Sequence, residues 1–223
     1  MSRGPLVPDP PTTLDRLATE TTWPTGSALY RCHHRRLRGN SFNPSYGTGG
    51  RFHWFDDGYG TRVPVLYAAE SEICAIMETI FHDVPLTGPR RFVPASHLRD
   101  KRMSQIVIDP GAPLRLVEVH DPGLTKLGLR PAQLTSTTAY HYPRTLEWAR
   151  AMYEQLSWAQ GLLWVSARLN TDKCLVLYGD RVVSACVSIV GMPQALDDAT
   201  GSTRVRDLGR LAGIDVATPA ARP

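Results

Sequence analysis

The sequence predicts an α+β fold, a single compact domain with a mixed, mainly antiparallel sheet. Three observations point there. The 223 residues suffice for one sizeable core. Strand-like apolar runs recur between residues 28 and 190, and only two helices stand out clearly. Strands and helices do not alternate as regular βαβ units, which disfavours a doubly wound parallel sheet.

The elements follow in chain order. Residues 1–25 are rich in Pro and Thr, with Pro8, Pro10, Pro11 and Pro24 around a short helical piece at 13–20. They read as an N-terminal extension outside the core, and the body occupies 26–190. Residues 28–33 are a short strand candidate, and 41–57 are loop-rich, with Pro44, Gly47, Gly49 and Gly50. Residues 63–68 form an apolar strand. Ser71 then suits a helix N-cap, because its hydroxyl can accept from a free backbone N–H of the first turn. Ile73, Ile76, Met77, Ile80 and Phe81 follow at helical spacing, and Pro85 is expected to end that helix. Residues 92–97, 104–109 and 114–118 are strand-like, with Pro110-Gly111 as a turn. Short helical turns are suggested at 124–128 and 131–134. The second clear helix spans 144–155, with Leu146, Trp148, Ala149, Met152 and Tyr153 as its apolar residues. Residues 161–165, 174–178 and 182–190 complete the strands. Residues 191–223 turn polar and read as a C-terminal extension, with a short helix at 204–212 and a loose Pro-Ala-Ala-Arg-Pro end.

Bulk properties narrow the class. A hydrophobic fraction of 42% is ordinary for a soluble globular protein. No apolar run approaches the roughly 20 residues of a membrane helix. The start, Met1-Ser2-Arg3-Gly4-Pro5, has no apolar stretch, so no secretory signal and a cytoplasmic location are expected. Cys32, Cys74, Cys174 and Cys186 lack C-x-x-C spacing and read as reduced thiols, not as a zinc site or disulfide frame. The net charge of +4 is compatible with phosphate-bearing ligands or nucleic acid and selects neither. The densest basic run, Arg31 to Arg38, reads as a solvated rim or as a nucleic-acid patch, but it has no helix-wide stripe and no interleaved aromatic platform.

Four side chains carry the chemical argument. Arg31 follows an apolar pair on a strand. Arg51 follows three glycines in five positions, and glycines permit close backbone approach to a ligand. Two guanidinium groups suit a dianionic ligand such as a pyrophosphate, because Arg meets phosphate oxygens with a planar fork. Tyr67 ends a strand, and Glu78 lies at the margin of the following apolar helical stripe. A strand-to-helix turn can put both on one cleft wall. A tyrosine face and a carboxylate suit a flat cationic leaving group and a positive transition state, as for nicotinamide on a ribose. Each residue also admits a plainer role: rim salt bridge, turn, core aromatic, or border glutamate. Ser166, at a strand end, and Thr145, at a helix start, are hydroxyls that could meet a ribose or phosphate. G-x-S-x-G, a Walker loop and HExxH are all absent, and His33 and His34 point to opposite faces of a strand. His53 and His82 read as structural or solvent-facing.

Taken together and in order, these segments resemble the RES domain family. The residues carrying the resemblance are Leu29-Tyr30-Arg31, Ser41-Phe42-Asn43-Pro44 with Gly50-Arg51-Phe52, Leu66-Tyr67-Ala68-Ala69, Glu78-Thr79-Ile80-Phe81-His82, Tyr142 to Ala149, and Gly161 to Ser166. Two departures are Ala167 between Ser166 and Arg168, and Asn43-Pro44 standing before Arg51. The resemblance implies a fold similar to ADP-ribosyltransferase toxins. It implies the toxin of a type II toxin–antitoxin pair that degrades NAD as a substrate, by hydrolysis or phosphorolysis of the nicotinamide–ribose bond, with no metal or separate cofactor. It implies an Xre-type helix-turn-helix antitoxin as partner, with nucleic acid reached only through that antitoxin. By the same resemblance, Arg31, Tyr67 and Glu78 would be catalytic, and Arg31, Arg51, Tyr67, Ser166 and Thr145 would bind substrate. ADP-ribosyl transfer to a protein is the enzymatic alternative. A basic nucleic-acid-binding module using Arg31 to Arg38 is the alternative of another class, and it predicts salt-sensitive binding with no loss of NAD.

Overall fold

The computed structural model describes residues 6–88, 90–109 and 111–218. Met1 to Pro5, Pro110 of the expected turn and the terminal residues 219–223 lie outside the described residues. In chain order the elements are β1 (Glu20–Trp23), β2 (Ala28–His34), β3 (Phe55–Asp56), β4 (Arg62–Val63), β5 (Val65–Ala69), α1 (Glu72–Met77), β6 (Phe92–Val93), β7 (Lys101–Ile108), β8 (Leu114–Glu118), α2 (Gly123–Lys126), α3 (Tyr142–Gln155), β9 (Gly161–Val165), β10 (Lys173–Tyr178), β11 (Val187–Ala195), α4 (Ala199–Leu211) and β12 (Asp215–Val216). Eight strands make one sheet in the order β1-β8-β9-β10-β5-β2-β7-β11. Every pairing in it is antiparallel except β8 with β9. The fold is therefore α+β with a mainly antiparallel sheet, as the irregular order of strands and helices predicts.

One pairing positions the site. β2 pairs with β7 over seven successive residues, but it meets β5 at a single pair, Tyr30 with Ala69. The sheet is nearly divided there, and a cleft opens along the division. Strand alternation sorts the side chains on either side of it. Tyr67, Val65 and Ala69 of β5 face the core shared with α1 and α3, whereas Leu66 and Ala68 join Leu29 of β2 in the opposite core. β9 and β10 are buried on both faces, which explains their unbroken apolar sequence.

Several sequence expectations are corrected. The short helix at 13–20 is absent. Instead β1 adds an edge strand to β8, in register from Glu20 with Val117 to Trp23 with Leu114, and Val7 and Leu14 enter the core. The N-terminal stretch thus belongs to the packed domain, because its Thr-Thr-Trp sequence suits a strand with one apolar side. At the other end β11 runs on to Ala195, and α4 starts earlier than expected, with Asp198 as N-cap accepting from Gly201 N at 2.7 Å. Leu196, Val205 and Ile214 of this segment are buried. Residues 92–97 are strand only at Phe92–Val93, which pairs in parallel with β12, and Pro94 leads into a 3-10 turn at Ala95–His97. Residues 184–186 are likewise a 3-10 turn before β11.

The helix after Ser71 also stops early. Ser71 caps it, accepting from Cys74 N at 3.2 Å, as expected. Its last helical residue is Met77, with Glu78 as C-cap. The apolar spacing continues to Ile80 and Phe81, which are buried, but the backbone tightens as Thr79 N donates to Ile76 O at 3.2 Å. The carbonyls of His82 and Val84 are taken by the Arg168 guanidinium, so they do not serve a further helical turn.

Candidate functional site

The cleft at the divided sheet has a volume of about 940 Å³, within the range of small-molecule sites. Arg31, Arg51, Tyr67 and Glu78 all line it.

Arg31 lies on β2 with its side chain on the face of Leu29 and His33. It is only 5% exposed. Its Nη1 donates to Gly39 O at 3.0 Å and Ser41 O at 2.6 Å. Those carbonyls come close because residue 39 is glycine: a Cβ there would stand 2.5 Å from Ser104 Oγ. Burial lowers the Arg31 pKa to about 10, so the guanidinium stays charged at neutral pH.

Arg51 is 7% exposed and sits at the end of the glycine loop, where Gly49 takes a left-handed φ of 78°. Its Nε donates to Thr137 Oγ1 at 3.3 Å, its Nη2 to Thr137 O at 3.1 Å, and its guanidinium lies 5.6 Å from the Tyr142 ring centroid. Among the described residues, no carboxylate lies within ion-pair distance of Arg31 or Arg51. Arg51, a buried cation whose protein partners are neutral oxygens, is placed to receive an anion, whereas the Arg31 guanidinium lies on the Leu29 side of the sheet and holds the Gly39 and Ser41 carbonyls.

Tyr67 presents its ring to the cleft and meets Trp164 edge-on at 5.9 Å. Its hydroxyl accepts from Phe52 N at 2.7 Å, fixing the residue after Arg51. Burial raises the Tyr67 pKa well above the usual phenol range, so the group stays neutral.

Glu78 is half-buried, and Ser166 Oγ donates to its Oε1 at 2.6 Å. Ser166 itself is fully buried, and its oxygen accepts from Arg168 N at 3.2 Å and Leu169 N at 3.0 Å. It does not line the cleft. Its hydroxyl is committed to the Glu78 carboxylate, not to the open part of the cleft where the sequence reading put it against a ribose or phosphate. Ala167 gives the turn that puts the Arg168 N–H on the Ser166 oxygen while the Arg168 guanidinium holds the segment after Glu78.

Thr145 is likewise set back from the cleft surface. It is fully buried at the start of α3 and donates to Arg51 O at 2.7 Å. It pins the arginine loop and does not face the cleft.

Sequence reasoning missed Tyr142, His82, Asp83, Lys101 and Trp164, all of which line the cleft. Tyr142 and His82 stand inside two of the segments quoted above, but nothing local shows that the two meet across 60 residues, with Tyr142 Oη 3.1 Å from His82 Nε2.

The basic run does not form a continuous stripe. Arg31 and His33 are buried, Arg35 pairs with Asp100 at 2.8 Å, and Arg36 lies over Tyr46. Among the described residues, no group of three or more His, Cys, Asp or Glu could hold a metal ion, and no helix is long and apolar enough to cross a membrane. The four cysteines are free thiols.

Comparison with known proteins places this arrangement. The model of the RES domain matches residues 28–197, from the start of β2 to just past β11. The chain belongs to the RES domain family. The matched segment contains every residue of the cleft argued above. Among curated proteins, none matches the chain. Among solved structures, it is similar to a chain of the M. tuberculosis MbcT–MbcA toxin–antitoxin complex, with a TM-score of 0.58 and 14% identity, over 87% of this RES protein and 93% of that chain. At that identity the likeness is one of fold.

Proposed function

We propose that this RES protein is the toxin of a toxin–antitoxin pair, and that its cleft cleaves the bond between nicotinamide and ribose in NAD. The observation that carries the reading is the buried Arg51 guanidinium, which has no carboxylate within ion-pair distance among the described residues, in one cleft with Arg31, Tyr67 and the Glu78 carboxylate to which Ser166 donates. Arg31 and Arg51 bind the pyrophosphate, and the Tyr67 ring packs on the nicotinamide. As the C–N bond breaks, its electrons return to the pyridinium nitrogen and nicotinamide leaves neutral, so no general acid is needed. The ribose becomes oxocarbenium-like, and Glu78 stabilises that charge. Water or phosphate completes the reaction at the ribose carbon. NAD is the substrate, and no step calls on a metal.

The family, and a structural relative that comes from a toxin–antitoxin complex, support an antitoxin partner. We take it to be an Xre-type helix-turn-helix protein that supplies a carboxylate to Arg31 or Arg51 and so excludes NAD. Both proteins would act in the cytoplasm. The test is incubation of the purified, antitoxin-free protein with NAD, with and without phosphate, and chromatographic identification of the products. Nicotinamide with ADP-ribose or ADP-ribose 1-phosphate supports the reading, a protein-linked ADP-ribose redirects it to transfer, and intact NAD overturns it.

A further inference from the structure

We propose that Asp83, His82 and Tyr142 form a proton relay that activates water as the acceptor in this cleft. The inference rests on the NAD-cleaving reading above. His82 Nδ1 lies 2.8 Å from Asp83 Oδ1, and His82 Nε2 lies 3.1 Å from Tyr142 Oη. All three residues line the cleft that holds Glu78, Arg31 and Arg51. They come from two separate elements: His82 and Asp83 follow α1, whereas Tyr142 opens α3.

Each member is held by other contacts. Arg168 donates to the carbonyl of His82. The Tyr142 ring borders the Arg51 guanidinium, and its carbonyl accepts from Thr145 Oγ1 at 3.1 Å. The contacts fix the tautomer. A carboxylate can only accept, so Nδ1 carries the hydrogen, and Nε2 is left to accept the phenol proton. The Asp83 side chain is 88% exposed, so a proton collected on the imidazole has a route to solvent.

The chemistry needs such a group. Glu78 stabilises the cationic ribose only while it is ionised, and its Oε1 is already occupied by Ser166. Water attacking the ribose carbon must lose a proton. In the step proposed, the water oxygen bonds to that carbon as the carbon–nitrogen bond breaks with its electrons passing to nicotinamide. A water proton moves to Tyr142 Oη, the phenol proton moves to His82 Nε2, and Asp83 stabilises the imidazolium until it releases the proton to solvent. The charged groups around the phenol are Arg51 and Arg168 on one side of the balance and Asp83 and Glu78 on the other. Burial raises the Tyr142 pKa, so the phenol passes a proton on and does not remain a phenolate.

The experiment uses the full chain in phosphate-free buffer, measuring NAD hydrolysis and, separately, NAD affinity. General-base assistance contributes about 10²–10⁴-fold. His82→Ala and Tyr142→Phe should each lose about 100-fold or more in kcat with NAD affinity within about threefold of the parent. Added imidazole should restore hydrolysis to His82→Ala and not to Tyr142→Phe, a response that a structural hydrogen bond would not give. His82→Gln, closer in size, guards against misfolding of the alanine variant and should show the same loss. Parental turnover in Tyr142→Phe or His82→Gln, or a loss in His82→Ala that imidazole leaves unchanged, overturns the relay while the NAD reading stands. A parent protein that leaves NAD intact overturns both.

Discussion

Ser166→Ala tests whether the buried Ser166 hydroxyl orients Glu78. The hydroxyl donates to Glu78 Oε1 at 2.6 Å and accepts from two backbone N–H groups, all in a fully buried position. A hydrogen bond to a charged group contributes about 1.5–3 kcal/mol, and a buried donor left unsatisfied costs about 1–3 kcal/mol. These contributions overlap, so a net loss of about 3 kcal/mol is expected. For a chain of this size each kcal/mol shifts Tm by about 2–4 °C, which gives a fall of about 6–12 °C. The kinetic consequence follows from geometry. Glu78 is no longer held, and a misplacement of about 1 Å at a reacting centre can cost about 10²-fold. Because Ser166 does not line the cleft, kcat for NAD cleavage should fall about 30–100-fold while KM moves less than about threefold. The assay is nicotinamide release well below the variant's Tm. A large rise in KM at constant kcat would mean that the hydroxyl touches substrate after all. Unchanged kcat with the expected loss of Tm would mean that the bond stabilises the fold without orienting the carboxylate.

Other perturbations separate the remaining roles. Arg51→Ala removes a buried cation and its contacts to Thr137, and should raise the NAD dissociation constant at least tenfold, read by calorimetry; unchanged affinity would remove Arg51 from the binding site. Gly39→Ala would bring a Cβ to 2.5 Å from Ser104 Oγ and should lower Tm, together with NAD affinity, because the loop carbonyls that hold Arg31 must shift; parental values for both would refute the close-approach argument. Stability should also depend on pH through His33, whose pKa burial lowers from 6.5 to about 4. The unfolded chain binds this proton first, so stability from this site is complete above about pH 6.5 and is lost as pH falls towards 4, by up to about 3 kcal/mol. Denaturant titrations at pH 7 and pH 4.5 should show the decline, and His33→Gln should flatten it; an equal decline in that variant would assign it elsewhere.

The strands and the site differed in how much of them could be read from the chain. Arg31 was legible because the alternation Leu29, Arg31, His33 puts it on an inward face, and the glycines before Arg51 marked a loop that lies close to other backbone. The roles of Ser166 and Thr145 were not legible. Both were identified as hydroxyls near the site, but their partners, Glu78 and the carbonyl of Arg51, lie 88 and 94 residues away. The same holds for the contact between Tyr142 and His82. β1 was hidden by composition: Pro8, Pro10, Pro11, Pro24 and a threonine-rich run suggest an extension, yet an edge strand needs only one apolar side. The early end of α1 was hidden because buried residues after Glu78 keep a helical spacing while the carbonyls that follow bind Arg168.

The proposed function requires that this cleft cleave NAD with Glu78 stabilising the transition state. The most direct measurement is proton NMR of NAD incubated with the parent protein and with Glu78→Gln, following free nicotinamide over time and bound NAD by saturation transfer. The amide keeps the shape of the carboxylate and can still accept from Ser166, but it lacks the charge that favours a cationic ribose. The parent should release nicotinamide, and the variant should bind NAD while releasing nicotinamide at least about 100-fold more slowly. NAD that stays intact with the parent, or a variant that turns over at the parental rate, would contradict the account.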